Sequence, residues 1–307
     1  MILIILKFIL LPLLSPLMVG IVRKVKALMQ NRQGARIYQP YFDLWKLFHK
    51  DEVISPDASW IFFATPYILF GLSILVLVAV PVFGSVESLI PFSDFLVVIY
   101  MVAAATFFLA LSGIDVGSAF GGFGSSREMT LAALTEGVLL FALLPVALLT
   151  HTTNLALMAT YAANLPVTSY FAVITAFLGY IIAMFSETGR IPFDNPATHL
   201  ELTMIHEAMI LEYSGKRLAL IEWASANKLL FFALLGVNMF FPKGLTQAGD
   251  PMALLSAFGI SVFKTILLLV VIAVAESSVA KFRLFRLPDI LLTGFILGII
   301  AILVAVI

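Results

Sequence analysis

Eight long apolar stretches alternate with polar connections along the chain, at residues 1–22, 61–83, 94–113, 128–150, 167–186, 221–241, 253–275 and 289–307. A helix needs roughly 20 apolar residues to cross the hydrocarbon core of a bilayer, and each stretch reaches or approaches that length. The pattern predicts an all-α polytopic membrane protein of eight transmembrane helices, a single integral membrane domain over residues 1–307. Pro12, Pro16, Pro66 and Pro145 fall within these spans and are expected to kink them, which membrane helices tolerate when neighbours satisfy the freed backbone groups. The first stretch lacks a basic leader and a small-residue cleavage site, so it reads as a first span rather than a signal peptide. No internal repeat is evident.

The connections are unequal in charge. The first carries Arg23, Lys24, Lys26, Arg32, Arg36, Lys46 and Lys50, the third Arg127, the fifth Arg190, Lys216, Arg217 and Lys228, and the seventh Lys281, Arg283 and Arg286. The alternate connections, 84–93, 151–166 and 242–252, contain Lys243 alone among Lys and Arg. The positive-inside rule therefore places the odd-numbered connections in the cytoplasm and both termini outside. Two cytoplasmic connections are long, 23–60 and 187–217. The first interleaves basic residues with Val25, Leu28, Met29, Leu44, Trp45, Leu47 and Phe48. That pattern fits an amphipathic helix at the lipid surface, and it equally fits a docking platform for a soluble partner.

Composition narrows the function classes. Hydrophobic residues make up 62% of the 307 and charged residues 12%, too little polar surface for a water-soluble fold of this size. The net charge of zero gives no footprint for nucleic acid. Cysteine is absent, which excludes disulfides, thiolate metal sites, cysteine-ligated iron–sulfur clusters and thiol catalysis.

Ionisable groups at membrane depth are costly and are functional candidates by default. Glu136 lies inside the fourth span and Lys264 inside the seventh; Glu187, Glu222 and Glu276 stand at span ends. Interfacial solvation accounts for end-of-helix carboxylates, and for Glu128, Asp115 and Asp94. It accounts less well for Glu136 and Lys264, which one buried ion pair would also explain. A carboxylate at that depth either holds a proton or pairs with a cation, and both states suit a proton relay.

The segment SETGRIPFDNPATHLELTMIHEAMILEYSG, residues 186–215, is the most polar run in the chain. Asn195 followed by Pro196 signals a helix start, on which His199 and His206, seven apart, share a face with Thr203 between them. Glu201, Glu207 and Glu212 add three acids. The zinc-protease pattern fails, because Ile210 stands where its second histidine belongs, so no metal site is expected. An acid–imidazole cluster able to exchange protons near neutral pH is the better reading. Residues 117–124, GSAFGGFG, lack the lysine of a phosphate-binding loop and are expected to form a tight turn at the membrane surface.

The runs Glu187-Thr188-Gly189-Arg190-Ile191-Pro192-Phe193-Asp194 and Glu212-Tyr213-Ser214-Gly215 resemble the NADH dehydrogenase subunit 1 family. This family includes the membrane subunits of group 4 energy-converting [NiFe]-hydrogenases and of formate hydrogenlyase. The resemblance spans essentially the whole chain: Arg23-Lys24, Gln39-Pro40 and Asp43 with Lys46-Leu47 match the family's first cytoplasmic loop, and Gly117-Ser118 with Gly124 and Arg127 its second. It implies a non-redox subunit that joins a membrane arm to a soluble redox arm and forms the entrance of a proton path. Glu136 and Glu187 would be buried acids of that path, with Glu201, Glu207, Glu212, His199, His206 and Lys264 along it. Arg190, Asp194 and Tyr213 would couple the loop to the redox reaction; Arg23, Arg36, Asp43, Lys46 and Arg127 would face the soluble subunits.

Quinone-reducing members usually carry an acidic stretch after Pro-Phe-Asp. Here Ala197-Thr198-His199-Leu200 replaces most of it, which favours the hydrogenase branch. The implied assembly is a multi-pass complex of a prokaryotic inner membrane. Its partners would be hydrogenase large and small subunits, an iron–sulfur ferredoxin-like subunit and antiporter-like membrane subunits. Iron–sulfur clusters and a Ni–Fe site would sit in those partners and no cofactor in this chain. The competing expectations are a subunit of an NADH–quinone oxidoreductase, with quinone behind the 187–217 loop, an independent secondary transporter, and a passive anchor. A transporter is disfavoured by the missing repeat.

Overall fold

A computed structural model of the chain describes residues 2–84, 87–88, 90, 92–195, 204–246 and 250–307. Among these residues the secondary structure is helical: α1 (Ile2–Met29), α2 (Gln39–Phe48), α3 (Trp60–Ala79), α4 (Phe95–Asp115), α5 (Ala119–Thr150), α6 (Leu155–Ala162), α7 (Tyr170–Glu187), α8 (His206–Ile210), α9 (Gly215–Phe240), α10 (Pro251–Ser278) and α11 (Leu287–Val306). Eight of these helices are long and apolar enough to cross a membrane. They run alternately up and down, so α2, α8 and the connections rich in Lys and Arg gather at one end, with α6 at the other. Helix α5 packs against α4, α7 and α11; α3 packs against α4 and α9, and α1 against α9 and α10.

The helix starts follow local chemistry. Asp94 accepts from the backbone N–H of Leu96 (2.9 Å), and Asn154 from those of Ala156 and Leu157; each satisfies a donor that the first turn leaves unpaired. Helix α3 has Ser59 as its cap, and the Asp115 carboxylate at the end of α4 receives Ser59 Oγ (2.6 Å) and the N–H groups of Ser59 and Phe62.

The prolines sit inside α1, α3 and α5 without ending them. Two of the carbonyls they free are taken by side chains. Pro16 cannot donate to the Pro12 carbonyl, which accepts instead from Trp223 Nε1 (2.9 Å) and Ser15 Oγ (3.0 Å). Pro66 frees the Phe62 carbonyl, which accepts from the Tyr213 hydroxyl (3.0 Å).

Helix ends depart from the hydropathy pattern where charged residues continue a helix. Helix α1 runs on to Met29 and places Lys26 on a helical face, and Lys228, counted above with the fifth connection, lies in the interior of α9 and of the 221–241 stretch. Helix α5 begins at Ala119, so residues 119–127 are helix rather than the expected turn. Gly117, at φ +70°, does turn the chain, but Gly121 and Gly124 serve close approach. A Cβ on Gly121 would lie 2.1 Å from the Gly113 carbonyl oxygen, and one on Gly124 2.8 Å from that of Ile205. Gly121→Val is therefore expected to push α4 and α5 apart and to destabilise the protein by about 1–3 kcal/mol. Gly122→Ala, which meets nothing within 4 Å, is expected to be neutral. Thermal unfolding in mild detergent compares the two.

The end opposite the long connections is held by a buried ion pair. Lys7 Nζ donates to the Val78 and Val80 carbonyls (2.6 Å each) and to Glu87 Oε1 (2.5 Å). Glu87 Oε2 receives the N–H groups of Val82, Phe83 and Gly84. Pro81 stops α3 from continuing, and the bare carbonyls that follow are taken up in turn: Ala79 by Ser93 Oγ, Pro81 by Asn238 Nδ2, Val82 by Ser261 Oγ and Phe83 by the N–H of Thr246. Irregular backbone at membrane depth persists only with such partners.

Candidate functional site: a two-chamber polar cavity

The acidic and basic residues at the loop-rich end line a vestibule of about 220 Å³ between α1, α2, α9 and the turn after α7. Glu276, near the end of α10, is its anchor. Its side chain is 1% exposed and meets two cations, Lys26 Nζ at 2.7 Å and Arg190 Nη1 at 2.8 Å. A carboxylate that buried requires such pairing. Here the turn carrying Arg190 is tied to α1 and α10 at once.

Asp194 closes the same turn. Its carboxylate is buried and accepts from the N–H groups of Asn195 (2.8 Å), Ile205 (3.2 Å) and His206 (3.1 Å), and from Lys281 Nζ at 2.6 Å. One side chain thus holds the point where the chain leaves the turn and the point where it enters α8. Arg127 Nη1 supports the re-entry by donating to the Met204 carbonyl (3.0 Å).

Behind the vestibule a second chamber of about 60 Å³, room for a few waters, reaches into the bundle. Thr188, His206, Ile221 and Ser225 line both chambers, so these residues form the partition. The inner wall carries Glu128 from α5, Glu187 from α7 and Lys228 from α9; Leu69, Leu72, Val76, Met101, Val102 and Leu109 make most of the rest apolar, with Ser73 and Thr106 among them. Lys228 Nζ lies 2.7 Å from Glu187 Oε2 and 3.4 Å from Thr106 Oγ1. One residue before Glu187, Ser186 Oγ meets Thr135 Oγ1 at 2.7 Å, beside Glu136.

Two partition-side groups have shifted proton affinity. Burial, aided by the Lys228 charge and opposed by Asp194, lowers His206 from 6.5 to about 4, so the imidazole is neutral at pH 7. Burial, then Glu222 and Asp194, raise Glu207 from 4.5 to about 7, against the pull of Arg23. Glu207 therefore exchanges protons near neutral pH. Between pH 4.5 and 7 the folded state holds the Glu207 proton more tightly than the unfolded chain, so this group contributes stability at low pH and loses it as pH rises. His206 acts in the opposite sense, losing stability as pH falls from 6.5 toward 4. Glu207→Gln removes the first contribution alone. The Tm of the variant minus that of the wild type is expected to increase steadily from pH 4.5 to 7; a difference independent of pH would contradict the Glu207 assignment.

The NADH dehydrogenase family model matches residues 1–307. The chain belongs to the NADH dehydrogenase family. Within this family it is 35% identical over 292 residues to hydrogenase-4 component C of Escherichia coli (strain K12), covering 94% of this chain and 90% of that protein. It is 34% identical over 282 residues to formate hydrogenlyase subunit 4 of the same organism, covering 92% and 91%. A subunit of the F(420)H(2) dehydrogenase of Methanosarcina mazei is 27% identical over 295 residues, covering 88% of this chain and 82% of that one. The fold matches a chain of the membrane-bound sulfane sulfur reductase, an archaeal respiratory membrane complex, at a TM-score of 0.85 and 21% identity, covering 98% of each chain.

Arg190, Asp194, His206 and Glu207 come together around the vestibule, with Glu187 behind it. Arg23 and Asp43, 3.7 Å apart, also line the vestibule, while Arg36 and Lys46 are exposed. His199 and Glu201, with the helix start expected at Asn195–Pro196, fall on residues 196–203 outside the described residues.

The remaining expected site residues lie outside the two chambers. Glu212 is exposed and lines neither chamber. Tyr213 is buried, stacks on Phe62 at 4.0 Å and 2°, and caps the proline-freed carbonyl; burial pushes its hydroxyl up to about 12, so it stays neutral. Glu136 faces a separate side cavity with Tyr100, Phe107 and Met129. Lys264 lies at the opposite end, donating to the carbonyls of Phe241 (2.8 Å) and Lys243 (3.3 Å) at the end of α9. The Glu136–Lys264 ion pair is thus not formed. Among the described residues no group of three His, Cys, Asp or Glu side chains is placed to hold a metal ion.

Sequence patterning gave no role to Glu128, Lys26, Glu276, Lys281 or the Lys7–Glu87 pair, and it counted Lys228 with a connection. Glu128 and Lys228 had one usable signal: each is an ionisable residue inside a stretch, 128–150 or 221–241, that hydropathy alone marks as a span.

Proposed function

We propose that this chain is the non-redox coupling subunit of a multi-subunit membrane-bound [NiFe]-hydrogenase of a prokaryotic inner membrane. It anchors the soluble electron-transfer arm and forms the entrance of a path for protons, or for sodium ions. The observation that carries this reading is the run of ionisable groups that leads from Arg190, Asp194 and Glu207, past His206, to Glu187 and Lys228 inside the bundle. Two relatives at 34–35% identity are named as hydrogenase-4 and formate hydrogenlyase subunits, which supports the hydrogenase branch.

In the cell the loop-rich end faces the cytoplasm and both termini face outward, a reading that the charge asymmetry supports. The soluble arm docks through loops 23–60 and 187–217, on Arg23, Arg36, Asp43, Lys46 and Arg127, with exposed Trp45 and Phe42 beside them. The Ni–Fe site and the iron–sulfur clusters lie in the hydrogenase large and small subunits and in a ferredoxin-like subunit, and antiporter-like subunits lie against the apolar flanks. A charge change in the arm displaces Arg190 and Asp194, alters the hydration of the vestibule and changes the proton occupancy behind it.

A second reading, an NADH–quinone type of oxidoreductase, is favoured by the apolar wall of the inner chamber and by the F(420)H(2) dehydrogenase relative. Purification of the intact complex through a tag on this chain, with assays of hydrogen evolution and quinone reduction, separates the two. Co-purification of a Ni–Fe large subunit with hydrogen activity is expected. Quinone reduction without hydrogen activity would replace the first reading by the second, and a chain that purifies alone would overturn both.

A further inference from the structure

Helices α5, α7 and α9 bring three carboxylates, Glu128, Glu136 and Glu187, into electrostatic reach of one ammonium, that of Lys228. Glu187 is 3% exposed at its side chain and Lys228 21%, so the acid is fixed in the wall while the cation faces the chamber. A lysine is a point charge on a flexible stem, and Lys228 shares that chamber with Glu128 as well as Glu187. Its second contact, Thr106 Oγ1 on α4, is long at 3.4 Å, which leaves the ammonium with spare donors. One ammonium cannot neutralise both carboxylates of the chamber, of which Glu187 is buried and Glu128 half-buried; the acid it does not pair is favoured to hold a proton or another cation.

We propose, on the premise of the coupling role above, that Lys228 is a positioning residue whose ammonium alternates between Glu187 and Glu128 and so decides which of them carries the proton. In the arrangement seen here Lys228 pairs with the Glu187 carboxylate, and under this proposal the proton is assigned to Glu128. When the ammonium swings to Glu128, the Glu128 O–H bond breaks, an O–H bond forms on Glu187, and the total of protons and charge is unchanged. A shift of the Arg190–Asp194 turn, which carries Thr188 of the partition, is the natural trigger. His206, neutral across the working range, lets the ammonium move without a competing positive charge beside it; Asp194 and Glu207 remain on the vestibule side.

The test uses the intact complex in sealed vesicles, reading hydrogen turnover against pH and the ions moved per hydrogen. Lys228→Met is expected to assemble, to lower ion movement at least tenfold and to displace the pH profile of turnover. Lys228→Arg, which keeps the charge but not the reach, is expected to restore the profile and only part of the ion movement. Should Lys228→Met fail to assemble, Lys228→Gln, which keeps a neutral donor toward Glu187, is expected to assemble and to lower ion movement at least tenfold. A static structural ion pair predicts otherwise: Lys228→Met, or Lys228→Gln, would keep both the profile and the ion yield, and that result overturns the proposal. If Glu187→Gln stops ion movement and Lys228→Met does not, the switch alone is wrong. If neither matters, the proton path at Glu187 is wrong and the switch falls with it.

Discussion

Glu187→Gln is expected to leave the complex assembled while lowering ion movement per hydrogen by at least tenfold. The amide keeps the volume and the hydrogen-bonding capacity of the acid in a site whose side chain is 3% exposed, so no cavity opens. It removes the negative charge and the ability to carry a proton. Lys228 then loses its close partner, but at 21% exposure it faces a chamber with room for water and retains Thr106 Oγ1, which limits the folding cost. Glu187→Ala should fold less well, and the contrast between amide and alanine separates packing from chemistry. Glu136→Gln, on the separate side cavity, should have the smaller effect of the two amides. Full ion yield in both amide variants would sink the path reading.

Lys7→Met is expected to cause the largest loss of stability from a single substitution in this chain, at the end far from the site. The ammonium is 2% exposed and supplies Val78, Val80 and Glu87. Removing it leaves a buried carboxylate without its cation and two carbonyls without donors. Breaking one partner out of a buried pair costs about 3–5 kcal/mol. Lys7→Met with Glu87→Gln should recover part of that loss, because the neutral amide can still accept from the N–H groups of Val82 and Phe83. Thermal unfolding of the purified complex in mild detergent, with both variants beside the wild type, reads the difference; equal losses would mean that the charge itself is unimportant there. Hydrogen turnover in Lys7→Met at low temperature should stay near wild type, since the pair lies across the membrane from the two-chamber cavity.

Much of this molecule is legible in the order of its residues. The number of spans and their alternation follow from apolar length, because a bilayer imposes one thickness on every helix that crosses it. The gathering of the arginines and lysines at one end follows from the same alternation, and Glu187, Arg190, Asp194, His206 and Glu207 stand out because polar residues are rare in such a chain. Helix boundaries were less legible. Residues 23–29 and 119–127 carry charge or glycine and look like connections, yet both continue helices, since a helix can run past the hydrocarbon once neighbours or water satisfy its flank.

Partner choice could not be read at all. Nothing local in the sequence says that Glu276 on α10 pairs with Lys26 on α1 and Arg190 after α7, that Tyr213 answers the carbonyl freed by Pro66, or that Lys264 caps α9 instead of meeting Glu136. Those partners lie far apart in the chain, and which of them meet depends on how the helices rotate and pack. By itself the sequence determined the class of the protein, its spans, its charged end and its richest loop, because these follow from transfer free energies that act residue by residue. The tertiary structure decided which charges share a chamber and which are merely structural, because an ion pair exists only where packing brings two side chains within a few ångströms and keeps water from separating them.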